Sequence, residues 1–116
     1  MERKFDLEER TTNFAKGVIQ LCRELPRDPI NDRLMGQVVG SAGSVGANYR
    51  EANDALGKKD FLQKIKIARR EAKETQHWLT LIAEANAAKR TTIVPLIDEV
   101  VELKKILSSI AIKLEK

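Results

Sequence analysis

The sequence is poor in the residue types that most often build catalytic or metal sites. It has one histidine, one cysteine and one tryptophan among 116 residues, and aromatic residues make up 4% of it. One histidine does not support a Ser-His-Asp or Cys-His catalytic arrangement with any specificity. The lone cysteine, Cys22, cannot form a disulfide within the chain, which fits a reducing cytoplasm. We therefore expect a cytoplasmic protein that is not an enzyme and binds no cofactor.

Long apolar runs are missing as well. No stretch reaches the roughly eighteen apolar residues that a membrane-spanning helix needs, so we expect no contact with a membrane. The N-terminal segment MERKFDLEER is charged and lacks the apolar centre of a signal peptide. These absences leave a globular protein whose core consists of aliphatic side chains.

Apolar residues recur at alternating steps of four and three, which is the period of one helix face. The pattern predicts helices at about residues 7–25, 29–56, 59–88 and 92–115, joined by short connections. Asp28 before Pro29 is typical of a helix N-cap and first position, and Gly57 is expected to end the second helix in a left-handed conformation. The predicted fold is all-α, a single antiparallel up-down-up-down four-helix bundle over residues 1–116.

Four of the six glycines lie in the second predicted helix, at Gly36, Gly40, Gly43 and Gly46. Each glycine costs a helix interior about 1 kcal/mol relative to alanine, so a compensating contact is expected. We predict that a stripe of small residues, Gly36, Gly40, Gly43 and Ala47, packs tightly against another helix. A phosphate-binding loop is not indicated, because neither a preceding strand nor a following Lys-Ser/Thr pair is present.

Polar side chains on the second and third helices predict a buried network that fixes their register. Its members are Ser44, Asn48, Glu51, Glu71 and Glu74. Glu74 and His77 also form a Glu-x-x-His unit of the kind found in di-iron bundles. Such a site needs two of these units, and the chain has one histidine, so we expect no metal.

Positive charge is concentrated in the third predicted helix, in a chain whose formal net charge is +4. The residues predicted to bind nucleic acid share one outward face at three- and four-residue steps: Lys59, Lys66, Arg69, Arg70 and Lys73. They would contact the phosphate backbone. No aromatic residue lies between them, so base stacking is not expected. The alternative is an ordinary solvated helix face.

A second apolar stripe runs along each of the last two helices. The stripes are Ile67, Trp78 and Leu81 on the third helix, and Val94, Ile97 and Val101 on the fourth. One bundle core does not need both, and exposed apolar patches of this kind usually mark contacts with other proteins. We therefore expect a homo-oligomer.

Two segments, SAGSVGANYREAN and KKDFLQKIKIARREAKETQHWLTLI, resemble bacterial four-helix-bundle proteins related to those encoded in 23S rRNA intervening sequences. The resemblance is most specific at these positions: Ser44, Gly46, Ala47, Asn48, Glu51, Ala52, Lys59, Asp60, Phe61, Glu71, Ala72, Glu74 and Trp78. Members commonly carry a basic residue just before the position of Ser41, where this chain has Gly40. That difference weakens the nucleic-acid contact expected at this point.

The resemblance implies a ring-shaped homopentamer without enzymatic activity. Relatives in this group include accessory proteins of diversity-generating retroelements. The resemblance therefore also implies RNA or DNA and a reverse transcriptase as partners. The leading expectation is therefore a homo-oligomeric bundle that binds a nucleic-acid backbone through the third helix. The alternative is a protein-binding scaffold or accessory factor with no nucleic-acid role.

Overall fold

The computed structural model describes residues 3–115 and the side chains of residues 7–115. Four helices fill this range: α1 (Arg3–Glu24), α2 (Pro29–Asn53), α3 (Lys58–Ala85) and α4 (Arg90–Glu115). A short 3-10 turn, Ala87–Lys89, joins α3 to α4, and the described residues contain no strand. The predicted all-α, four-helix fold is confirmed.

Side-chain contacts show that neighbouring helices run antiparallel. On α2 and α3, Ser41 meets Thr75 while Glu51 meets Lys64, so later residues of α2 contact earlier residues of α3. The same inverse order links α3 to α4 and α1 to α2. An ion pair between Arg10 of α1 and Glu99 of α4, with a distance of 2.9 Å, closes the bundle.

One continuous aliphatic cluster forms the core, and the predicted apolar faces of all four helices contribute to it. Its fully buried members include Val18, Val38, Ile65, Leu79, Leu103 and Leu107. Burying an aliphatic side chain of this size stabilises a fold by about 1.5–3 kcal/mol, so this cluster is the main source of stability.

The connection before α2 agrees with the prediction, but the connection after it does not. Asp28 caps α2 by accepting a 2.7 Å hydrogen bond from the Asn31 backbone N–H, and Pro29 is the first helical residue. The prediction for Gly57 was wrong, because α2 ends at Asn53 and Gly57 is an extended residue immediately before α3. The backbone N–H groups of Asp54 and Ala55 bond to carbonyls three residues back, which tightens the last turn without a left-handed residue.

Two buried polar contacts connect α2 to α3 and to Asn86, the residue that follows α3. Asn31 and Asn86 exchange hydrogen bonds of 3.0 and 2.8 Å, and each amide also donates to a backbone carbonyl. Farther along, the Thr75 hydroxyl lies 2.8 Å from the Ser41 hydroxyl. Both pairs are buried and satisfied, so they fix the register of the two helices.

The predicted packing of the small-residue stripe was wrong. A Cβ atom added at Gly36, Gly40 or Gly43 would meet no atom within 4 Å, and Ala47 is exposed. Among the glycines of α2, only Gly46, beside the stripe, makes a close approach, since a Cβ there would lie 2.9 Å from the Thr11 hydroxyl oxygen. The buried face of α2 follows its larger apolar residues, and this rotation turns the stripe outward.

Candidate nucleic-acid interface

Contacts on its two sides define how α3 is oriented in the bundle. On one side, Lys64 pairs with Glu51 of α2 at 3.0 Å, and Thr75 bonds to Ser41. On the other side, Lys66 pairs with Glu115 of α4, and Gln76 accepts a 3.2 Å hydrogen bond from Lys104. The predicted basic residues therefore lie on the outer face of α3 toward α4.

Two neighbouring clefts contain all five of these residues. A cleft of about 580 Å³ between α3 and α4, here called the α3/α4 cleft, is lined by Lys66, Arg69, Arg70, Lys73, Lys104 and Ser108. A second cleft of about 370 Å³ runs along α3 and is lined by Lys59, Leu62, Gln63, Lys66, Ile67 and Arg70. Lys66 and Arg70 belong to both, so the five cations form one connected surface.

This surface has little negative charge of its own. Within the part of the chain that the structure describes, no hydrogen bond or ion pair involves Lys59, Arg70 or Lys73, and all three are exposed. Lys66 is half-buried and pairs with Glu115. The hydrogen bond from Lys66, its charge and the charge of Arg69 lower the pKa of the Glu115 carboxyl group.

Two lining residues, Lys104 and Ser108, were not among the predicted site residues. They lie on α4, one helical turn apart, and directly follow the buried core positions Leu103 and Leu107. Because both residues follow core positions of α4, the predicted antiparallel pairing of α4 with α3 could have placed them beside the basic face of α3.

The five residues of the predicted polar network do not form a buried network. Glu51 and Glu74 are exposed, while Ser44, Asn48 and Glu71 are only half-buried. Asn48 donates to the Ser44 backbone carbonyl, and Glu51 pairs with Lys64 instead of a network member. These positions lie outside the buried stripe of each helix, and the Ser41–Thr75 pair provides the buried polar contact instead.

The Glu-x-x-His unit of α3 lies on the protein surface. Glu74 and His77 are exposed, and the His77 ring lies 4.9 Å from the ring of half-buried Trp78. No group of three or more His, Cys, Asp and Glu side chains among the described residues could hold a metal ion. Cys22 is half-buried, and burial raises the pKa of its thiol.

The second apolar stripes are partly covered by the bundle. Leu81 is 38% exposed and Val94 is 40% exposed, which leaves apolar surface near the junction of α3 and α4. The other stripe members, Ile67, Trp78, Ile97 and Val101, are half-buried. None of the helices in the described range is both long and apolar enough for a membrane span.

Comparison with known proteins identifies the family. A family profile described as "23S rRNA-intervening sequence protein" matches residues 3–109. The chain belongs to this family. No curated protein matches it significantly.

A solved crystal structure supports the same relationship. It is described as a protein with unknown function from the S23 ribosomal protein family of Bacteroides thetaiotaomicron VPI-5482. The two chains are 29% identical, the TM-score is 0.80, and the match covers 90% of this chain and 97% of that chain. The structural similarity therefore agrees with membership in the 23S rRNA-intervening sequence protein family.

Proposed function

We propose that this member of the family is a non-enzymatic homo-oligomer that binds the backbone of RNA or DNA through the basic face of α3. The observation that carries the proposal is the connected surface of Lys59, Lys66, Arg69, Arg70 and Lys73, of which only Lys66 has an ion-pair partner among the described residues. A fold gains little from exposed cations without partners. Their clustering on one face is therefore better explained by an external anion.

Phosphate contacts would dominate binding at such a surface. The lining residues of the two clefts include no aromatic side chain, so the bases have no stacking platform. Affinity should then be largely independent of sequence and should fall steeply with salt. Three to five contacts per subunit is about what this number of cations can supply.

Self-association would strengthen a site of this modest size. The exposed parts of Leu81 and Val94, together with the outward small-residue stripe of α2, support the proposal of an assembly, for which family resemblance suggests a pentamer. A ring would present several copies of the basic surface to one strand and raise avidity without a new type of contact. A reverse transcriptase stays a proposed protein partner on family resemblance alone.

Salt-dependent binding tests the proposal. Fluorescence anisotropy would measure the affinity of the purified protein for a labelled RNA and a labelled DNA over a range of salt concentrations. Log affinity should fall with log salt by about 0.9 per contact for duplex DNA, or about 0.7 for a single strand. Changing Arg69, Arg70 and Lys73 together to Gln should flatten this slope. Circular dichroism should show an intact fold, because none of the three side chains has a hydrogen bond or ion pair among the described residues.

A matched triple variant provides the control. Lys16, Arg23 and Arg33 are exposed and lie on α1 and α2, so changing them to Gln removes the same charge from another surface. If the control variant flattens the slope and the α3 variant does not, the site lies elsewhere. Absence of binding at low salt would overturn the nucleic-acid proposal and favour a protein-binding scaffold that uses the exposed apolar residues. Light scattering that gives a monomer mass would overturn the homo-oligomer.

A further inference from the structure

The α3/α4 cleft has positively charged groups on both of its walls. Lys66, Arg69, Arg70 and Lys73 come from α3, while Lys104 and Ser108 come from α4. The hydrogen bond from Lys104 to Gln76 fixes the Lys104 ammonium group at the junction of the two helices. A site with two walls is a concave channel, and it differs physically from the convex face of a single helix.

The recessed position of two cations favours a narrow ligand. Lys66 and Arg69 are half-buried, with 42% of the Lys66 side chain still exposed, whereas Arg70 and Lys73 are exposed. Lys66 and Lys73 are seven residues apart on α3, which is about 10 Å at 1.5 Å per residue. A flexible single strand can place successive phosphates into such a channel, as positively charged grooves for single strands do. A duplex is a stiff rod that would meet mainly the rim.

The carboxylate of Glu115 already occupies a place suited to a phosphate oxygen. It pairs with Lys66 and lies in the field of Arg69, the two recessed cations of the channel. A phosphate that approaches Lys66 therefore competes with this carboxylate for the same ammonium group. Glu115 is a built-in competitor for the anion that the channel would bind.

We infer that the α3/α4 cleft is a channel for single-stranded nucleic acid, in which phosphates contact both α3 and α4 and displace Glu115 from Lys66. The inference rests on the proposed nucleic-acid function and adds the kind of nucleic acid, the second wall and the internal competitor. RNA and DNA strands of the same length are expected to bind similarly, because phosphates are the main contact.

The first test separates a channel from a one-helix face. Lys104→Gln should weaken binding of labelled oligothymidylate several-fold and flatten its salt slope by about 0.7, the value of one single-strand phosphate contact. Lys113→Gln is the matched control, since Lys113 is exposed on the same helix and does not line the cleft. An unlabelled duplex of the same length should compete weakly.

The second test removes the charge of Glu115, the carboxylate that competes with phosphate for Lys66. Glu115→Gln should tighten single-strand binding by up to about fivefold, the range that an exposed ion pair provides. Glu102→Gln is its control, because Glu102 is an exposed carboxylate of the same helix and, unlike Glu115, pairs with no cation among the described residues. This control corrects for the general loss of one negative charge.

The outcomes distinguish the inference from the proposed function. Equal effects of Lys104→Gln and Lys113→Gln, equal effects of the two glutamate variants, or tighter binding of the duplex would each overturn the channel. If the α3 triple variant still flattens the slope in those cases, the proposed function stands. If neither oligothymidylate, a matching RNA nor the duplex binds at low salt, the proposed function fails together with the inference.

Discussion

The two sides of α3 use polar residues in opposite ways. Toward α2, polar side chains are turned inward and satisfied, as in the Ser41–Thr75 pair and the Asn31–Asn86 pair at the end of the bundle. Toward α4, the buried contacts are aliphatic, and charge collects in the cleft above them. The first side specifies how the helices align, while the second leaves cations available to an outside partner.

This difference separates groups that maintain the fold from groups that are free for function. A buried amide that loses its partner must go without a hydrogen bond, so its contribution to stability is large. An exposed lysine stays hydrated with or without a partner, so its contribution to stability is small. Substitutions on the two sides should therefore affect different measurements.

The largest effect on stability is expected at the asparagine pair. Asn31→Ala would leave the buried Asn86 side-chain oxygen without its hydrogen-bond donor, and the part-buried Pro26 carbonyl would lose the same donor. The expected loss is about 2–3 kcal/mol in the free energy of unfolding, measured by urea denaturation. Single-strand binding of the folded variant should not change.

A double variant separates the effect of unpaired hydrogen-bonding groups from the effect of lost side-chain volume. Changing both Asn31 and Asn86 to Leu removes both buried side-chain amides, so part of the lost stability should return. A double-mutant cycle of Asn31→Leu, Asn86→Leu and the double variant would then give a coupling energy between the two positions. Strictly additive single effects would show that the pair does not act as a unit.

A second contrast lies between two glycines of α2. Gly46→Ala should lower stability by about 1–2 kcal/mol, because its Cβ would press on Thr11, whose hydroxyl is held by the Glu8 carbonyl. Gly43→Ala is the matched control, and it should raise stability by up to about 1 kcal/mol since the site is open. Thermal unfolding followed by circular dichroism measures both.

The two glycine variants also test whether α2 contacts another subunit. If Gly43→Ala destabilises the assembled protein or reduces its mass in light scattering, the open stripe is covered in an assembly. If it stabilises the chain and leaves the mass unchanged, any subunit contact lies elsewhere. Equal destabilisation of a protein that light scattering shows to be a monomer would contradict the contact difference described above.

The helices themselves could be predicted because aliphatic residues must be buried along one face, which imposes the 4-3 spacing. The basic face of α3 could also be predicted, since its members belong to one helix and their angular positions follow from residue number. The glycine stripe was assigned wrongly because spacing shows two adjacent stripes but not which one faces the core. That choice depends on the rotation of α2.

Features that join distant parts of the chain depend on the pairing and register of the helices as well as on the spacing within each helix. Lys104 reaches the cleft only because α4 lies beside α3 in a particular register. Asn31 and Asn86 meet only because the ends of two helices converge. In each case the role of the residue depends on a contact with another part of the chain, and spacing within one helix does not predict that contact.

The smallest effect on stability is expected at the ion pair between Glu115 and Lys66, a lining residue of the α3/α4 cleft. Because Lys66 lowers the pKa of Glu115, the folded state favours the ionised carboxylate. The resulting stability is present above the usual glutamate pKa of about 4.3 and is lost as pH falls through the lowered value. Glu115→Gln should therefore shift the urea midpoint slightly at neutral pH and not at strongly acidic pH. Glu102→Gln is the control for the loss of one negative charge from α4. If Glu115→Gln shifts the midpoint as much as Asn31→Ala does, charge beside the cleft maintains the fold. The contrast between the two sides of α3 would then not hold.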